Sequence, residues 1–149
     1  MTQKEFIKIL NRKKYSYEIE GNKIVVTGED TVRLESLTSL PPDVEFKNKN
    51  AVRLESLTSI SSGVEFKNGG NVWLRSITSL PPGVEFKNGG HIFLSALTSI
   101  SPGVVFKNED DVQMESLIGG WFDDWKGNIE GIDSKRLLNL MISKGVFER

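Results

Sequence analysis

The sequence repeats with a period of twenty residues, and this period constrains the fold more than any other feature. Written in rows of twenty from Thr31, the chain aligns without a gap through four full units and the start of a fifth. A half-unit precedes them, because Ile24 and Val26 lie twenty residues before Val44 and Phe46. A tandem repeat of this length is typical of elongated architectures in which each unit packs only on its neighbours.

Apolar residues recur at the same places in every unit. The segments V-x-L and V-x-F alternate apolar and polar residues, which is the pattern of short strands with one buried face. Two of the columns are Val32, Val52, Val72, Ile92, Val112 and Phe46, Phe66, Phe86, Phe106. One unit cannot bury its apolar side chains alone, but stacking at about 4.8 Å per coil buries them against identical neighbours. The sequence therefore predicts a mainly β protein, a short β-solenoid of 20-residue coils.

Turns separate the predicted strands within each unit. Pro82-Gly83 marks one kind of turn, and Asn88-Gly89-Gly90 marks another, in which we expect glycine to permit a positive φ. The asparagines at this second turn form a column of their own: Asn48, Asn68, Asn88 and Asn108. We expect their side-chain amides to pair with one another between coils.

A second stacked architecture competes with the solenoid. The stretch L-T-S-L-P-P at 37–42 resembles the L-T-S-L-P stretch of bacterial leucine-rich repeats, whose units are also near twenty residues. This resemblance implies a horseshoe with one strand per unit. The family places an asparagine shortly after its L-x-L strand, and the step from Leu34 to Leu37 is too short to fit it. Two strands per unit favour a solenoid with two or three narrow parallel sheets, and a leucine-rich-repeat-like horseshoe is the alternative.

The chain is predicted to be a single domain over 1–149 with three parts: an N-terminal cap at 1–22, the repeat solenoid at 23–120 and a C-terminal cap at 121–149. Caps are expected because open sheet edges recruit further strands. In the first cap, Thr2-Gln3-Lys4-Glu5 is a capping-box pattern that begins a helix. A hairpin is expected to follow this helix, with its turn at Glu20-Gly21-Asn22.

The predicted C-terminal cap begins where the repeat fails. Ile132, Asp133 and Ser134 have the pattern of a helix start, and an apolar stripe follows them. Trp121 and Trp125 are interpreted as lids over the last coil. The terminal helix could instead dock on a second copy, which would make a homo-oligomer.

The residues that usually perform catalysis or bind metals are scarce. There is no cysteine, and the one histidine, His91, falls at a turn position. The acidic runs 109–111 and 123–124 have the pattern of solvated turns, not of an acid/base pair or an oxygen cage for a cation. We therefore predict no catalytic residue, no metal site and no cofactor. A glycan-binding or glycan-cleaving β-helix is the enzymatic alternative.

Charge gives no general attraction to nucleic acid or to an anionic membrane, since the net charge is -1. Lysines recur as Lys47, Lys67, Lys87 and Lys107, and three of the units place a glutamate two residues earlier, at Glu45, Glu65 and Glu85. These columns predict a mixed, solvated outer face. No apolar window approaches the length of a membrane span. The prediction is a cytoplasmic protein that does not itself bind nucleic acid.

One outward column changes its residue type while the buried columns are copied. Between the buried valine and leucine stand Arg33, Arg53, Trp73, Phe93 and Gln113. Two residues further on stand Glu35, Glu55, Arg75, Ser95 and Glu115. Tryptophan, phenylalanine and arginine in one patch have the composition of a protein-binding hot spot. The predicted protein-binding residues are Arg33, Arg53, Trp73, Arg75 and Phe93. Alternatively, a cap covers the two rings, or they only strengthen packing between strands.

A further resemblance concerns the organisation of the whole chain. The block 121–149, together with the short N-terminal helix and the tandem units, resembles small uncharacterised repeat proteins of bacteriophages and mobile elements. That resemblance implies a host protein as the target, for example a bacterial defence component such as a CRISPR effector. The predicted function is thus non-enzymatic protein binding, and a structural or self-assembly module is the main alternative.

Overall fold

The computed structural model describes residues 1–101, 103–110, 112–113 and 132–133. These residues form one helix, α1 (Gln3–Lys13), and a hairpin of β1 (Tyr17–Glu20) and β2 (Lys23–Val26). The strands of the repeats follow as β3 (Val32–Arg33), β4 (Val44–Phe46), β5 (Val52–Arg53), β6 (Glu65–Phe66), β7 (Val72–Trp73), β8 (Ser79–Leu80), β9 (Glu85–Phe86), β10 (Ile92–Phe93), β11 (Ser99–Ile100), β12 (Val105–Phe106) and β13 (Val112–Gln113). A last strand is β14 (Ile132–Asp133).

Each unit places its strands in different sheets, and this makes the molecule a β-solenoid. A seven-stranded sheet has the order β1-β2-β4-β6-β9-β12-β14, a five-stranded sheet has the order β13-β10-β7-β5-β3, and β11 pairs with β8 in a third sheet. Neighbouring coils pair in parallel at a shift of one unit, so that Val72 is the register partner of Ile92. The predicted solenoid is confirmed. A horseshoe repeat would need only one strand per unit, whereas here every full unit supplies at least two.

The core is built from stacked identical side chains. The rings of Phe46, Phe66, Phe86 and Phe106 lie face to face, with successive centroid distances of 5.2, 5.1 and 5.1 Å. All four are fully buried. Aromatic pairs at such distances add to the free energy of burial, so the phenylalanine column holds the coils in register.

The asparagine column stabilises the turns in a different way from the one predicted. Asn88 Nδ2 lies 3.1 Å from Gly70 O, 3.1 Å from Gly90 O and 3.3 Å from His91 O. The amide nitrogen thus donates to backbone carbonyls of its own turn and of the coil before it. The prediction of amide pairing between side chains was wrong, because buried carbonyls at the turn need donors and the side-chain nitrogens supply them.

Glycines in the two kinds of turn serve different purposes. Gly83 and Gly103 have φ of 87° and 98°, as the proline–glycine turns predicted. At Gly69 and Gly89 φ is not positive, and the prediction there was wrong. A Cβ on Gly89 would lie 2.6 Å from Gly69 O of the preceding coil. The glycine is favoured there by the close approach of two backbones, not by its φ.

The N-terminal cap covers one end of the solenoid. Glu5 N donates to Thr2 Oγ1 at 3.1 Å, which confirms the predicted helix start, and α1 buries Phe6 and Leu10. The hairpin turns at Gly21, whose φ is 63°, and β2 then pairs with β4 as the first strand of the solenoid. The cap therefore continues the seven-stranded sheet as well as covering the core.

Only Ile132 and Asp133 of the predicted C-terminal cap are among the described residues. They form β14, which runs antiparallel to β12 with Phe106 opposite Ile132. The predicted helix start at 132–134 depends on Ser134 and on the stripe after it, which lie outside the described residues. Trp121, Trp125 and the predicted terminal helix lie outside the described residues. Within the part of the chain that is described, no helix has the length and apolarity needed to cross a bilayer.

Candidate functional site

The outward column that changes its residue type lies along the five-stranded sheet. Arg53 is the register partner of Trp73, and Trp73 is the register partner of Phe93. Arg33 and Gln113 extend the column at its two ends. Parallel pairing in register places each of these side chains above the one before it. The structure therefore brings the predicted column together as one continuous stripe.

Trp73 and Phe93 form a stack inside this stripe. Their ring centroids are 4.0 Å apart and the ring planes differ by 15°. Trp73 is half-buried and Phe93 is 9% exposed. Neither ring projects into solvent as an isolated anchor, since each covers part of the other. Cross-strand packing therefore accounts for part of this pair, as the alternative interpretation held.

Two arginines border the stacked rings. Arg53 Cζ lies 4.8 Å from the Trp73 ring centroid. Arg75 Cζ lies 4.8 Å from the same centroid and 5.3 Å from that of Phe93. These are cation–π distances, and such contacts stabilise by about 0.5–2 kcal/mol depending on exposure. We call Arg53, Trp73, Arg75 and Phe93 the arginine–aromatic cluster.

On the five-stranded sheet, the arginines of the first two units are paired with glutamates, and the arginine of the third unit differs from them. In the first two units each arginine has a glutamate partner: Arg33 Nη1 lies 3.3 Å from Glu35 Oε1, and Arg53 pairs with Glu55. Arg75 occupies the position of those glutamates in the third unit, is exposed, and makes no ion pair with any described residue. Arg33 is the predicted site residue that stands apart, because its recorded contacts are with Glu35 and with Tyr15 rather than with the rings.

The opposite, seven-stranded sheet differs from its predicted character at one residue. Glu45 is only 3% exposed, although the sequence pattern predicted a solvated position. Its carboxylate lies 2.6 Å from Lys67 Nζ, 3.4 Å from Lys47 Nζ and 3.8 Å from Lys23 Nζ. Lys23 belongs to β2 of the hairpin, so the first strand of the solenoid adds a third lysine around this carboxylate. The repeat pattern alone gave no signal for this burial, since Lys23 lies outside the full units.

Hydrogen bonds within this ladder of lysines and glutamates shift the pKa values of Lys67 and Lys23. The hydrogen bond from Lys67 to Glu45 raises the pKa of Lys67 above its ordinary value. The hydrogen bond from Lys23 to Glu65, at 2.9 Å, likewise raises the pKa of Lys23. All three lysines around Glu45 have a carboxylate partner. These three lysines therefore have little uncompensated positive charge with which to hold a nucleic-acid backbone.

His91 lies at a turn beside the arginine–aromatic cluster. It is half-buried, its Nε2 lies 3.4 Å from Asp110 Oδ2, and its ring centroid is 6.0 Å from that of Phe93. Across the residues that the structure describes, no three histidine, aspartate or glutamate side chains converge to hold a metal, and no pocket forms. What those residues offer is therefore a surface and not a cavity.

Comparisons of the chain with protein-family models, curated proteins and solved structures gave no match.

Proposed function

We propose that this chain is a non-enzymatic protein-binding module and that the arginine–aromatic cluster forms the centre of its contact surface. The observation that carries the proposal is the coincidence of two features. The outward residues change type between units at Trp73, Arg75 and Phe93, and these same residues form one contiguous cluster in space. Tryptophan and arginine are the residue types most enriched at the energetic centres of protein interfaces.

The rigidity of the surface also supports binding. Trp73 is held between Arg53 of the preceding coil and Phe93 of the following coil. Side chains that are already stacked lose little conformational freedom when a partner covers them, so more of the contact free energy remains for affinity.

A more specific form of the proposal is a phage-encoded inhibitor that covers a bacterial defence protein, such as a CRISPR effector, in the host cytoplasm. It rests on the resemblance of the chain's organisation to repeat proteins of phages and mobile elements. The cluster fits this form because blocking a protein surface needs contact area and no catalytic group.

The test is affinity capture from a lysate of the native host, followed by titration of the captured protein by calorimetry. We expect the variant Trp73→Ala plus Phe93→Ala to lose capture and to weaken the measured affinity at least about tenfold, as for an interface centre. A matched control is Thr78→Ala plus Ser99→Ala, because both residues are exposed and lie in the same two coils. Circular dichroism verifies that both variants are folded. Equal capture by wild type and the aromatic variant would overturn the proposal.

A further inference from the structure

We infer that the partner presents a carboxylate to Arg75, so that the arginine–aromatic cluster recognises an acidic protein segment. This inference rests on the proposed function and adds the chemistry of the partner to it. It concerns the one arginine of the cluster whose charge the described residues leave uncompensated.

The charge pattern of the face points to Arg75. Arg33 and Arg53 each have a glutamate two residues away that neutralises them. The third unit carries Arg75 at this glutamate position, and Arg75 makes no ion pair with the residues that the structure describes. The face therefore changes from paired charges to a net positive charge at Arg75. A partner with the complementary negative charge is favoured there.

The position of the guanidinium explains how it can bind a carboxylate. Its Cζ lies within 4.8 Å of the Trp73 centroid and 5.3 Å of the Phe93 centroid, while the residue as a whole is exposed. A guanidinium that contacts rings through its planar face keeps N–H donors at its edge for a carboxylate. Because the rings restrict this long side chain beforehand, binding loses less rotamer entropy than it would at a free arginine.

An acidic protein segment fits the surroundings better than a nucleic acid does. Glu55 and Glu35 lie on the same face, one and two coils before Arg75 respectively, and would repel a phosphate backbone that ran along the sheet. Binding of nucleic acid usually needs several phosphates neutralised together. A single uncompensated arginine can bind one carboxylate, and the two aromatic rings beside it can contact apolar atoms around that carboxylate.

The experiment is an NMR titration of the full chain with three short probes of equal length: a glycine–serine peptide with one central aspartate, the matched peptide with asparagine in its place, and oligothymidylate. The signals followed are the Nε–H group of Arg75 and the indole N–H group of Trp73. We expect both to shift with the aspartate peptide, with an affinity at least about fivefold higher than for the asparagine peptide at about 20 mM salt. Raising the salt to about 200 mM should weaken the binding of the aspartate peptide but not that of the asparagine peptide.

Charge-reversal variants locate the effect. Arg75→Glu should remove the preference for aspartate, and Arg75→Lys should weaken it about threefold to tenfold because the planar fork is lost. Arg33→Glu is the matched control, since Arg33 is exposed on the same face and its substitution changes the net charge by the same amount. Equal binding of the two peptides, tighter binding of oligothymidylate through the same signals, or equal effects of Arg33→Glu and Arg75→Glu would each overturn the inference.

The same variants separate this inference from the proposed function. If the captured partner is lost with Trp73→Ala plus Phe93→Ala but retained with Arg75→Glu, the protein-binding proposal stands and the carboxylate is excluded. Loss with both variants, together with a preference for the aspartate peptide, supports both. Retention with the aromatic variant overturns the proposed function, whatever the peptides show.

Discussion

Lys67 Nζ lies 2.6 Å from Glu45 Oε1, and this bond joins two successive coils across the seven-stranded sheet. Glu45 is nearly inaccessible, with 4% of its side chain exposed, whereas the lysines around it are partly solvated. A buried carboxylate is stable only where partners compensate its lost hydration. The three lysines provide that compensation, and one of them, Lys23, comes from the hairpin strand β2.

Replacing Glu45 should therefore destabilise the fold more than replacing its equivalents. We expect Glu45→Gln to lower the free energy of unfolding by about 2 kcal/mol, because the buried charge-assisted bonds are lost. The matched control is Glu85→Gln, whose side chain is 28% exposed and lies 3.7 Å from Lys87. Urea denaturation of both variants measures the difference. Equal losses at the two sites would contradict the prediction.

Stability should fall at alkaline pH through the same bond. Because the pKa of Lys67 is raised in the folded protein, its contribution is complete below the ordinary value of 10.5 and is lost as pH rises through the folded-state pKa. Lys67→Arg should reduce this loss, since a guanidinium stays protonated in that range. Denaturant titrations between about pH 8 and about pH 12 measure it. Identical alkaline slopes for wild type and variant would exclude this origin.

The asparagine column should be intolerant of aspartate. Asn88 is fully buried, and its Nδ2 atom faces three backbone carbonyls. Asn88→Asp replaces this donor with an oxygen that the carbonyls repel, so we expect a loss of at least about 4 kcal/mol, against about 2–3 kcal/mol for Asn88→Ala. Exposed Asn22→Asp is the control. Thermal unfolding ranks the three, and a milder effect of aspartate than of alanine would refute the donor role.

Tyr15 should protect the open edge of the five-stranded sheet. Arg33 N donates to Tyr15 Oη at 2.9 Å, at the side of β3 where no further strand pairs. We expect Tyr15→Phe to speed hydrogen exchange of the Arg33 amide about tenfold or more, because the amide loses its acceptor. The amide of Val52, which donates to Asn71 O one coil further on, is the internal control. Equal acceleration of both amides would indicate general loosening and not loss of the edge bond.

The sequence was most informative where neighbouring coils are alike. Apolar columns at a fixed spacing of twenty residues predicted the solenoid, its register and its buried phenylalanines, because stacking of like side chains is the only way to bury them. The same reasoning selected the outward column at Trp73 and Phe93, since a change of residue type on a copied scaffold is visible in the sequence. The structure places four of the five predicted residues in one cluster.

Predictions that depended on a single distance between coils were less secure. The sequence suggested amide pairing, but the asparagine amides donate to backbone carbonyls. It also suggested a positive φ at Gly89, but glycine is needed there because a neighbouring backbone oxygen leaves no room for a Cβ. Both features are set by how closely one turn approaches the next. A repeat pattern gives the order of residues along a column but not the gap between them.

The sequence by itself determined the coil, its stacking and the two places where the copies stop, because burial of apolar side chains follows their periodicity. Only the tertiary structure decided that Glu45 is enclosed by lysines from three segments, and that Trp73 lies between an arginine and a second ring. Exposure and charge pairing depend on distances of a few ångströms between residues that are far apart in the chain. Those distances arise when the coils and the cap pack together.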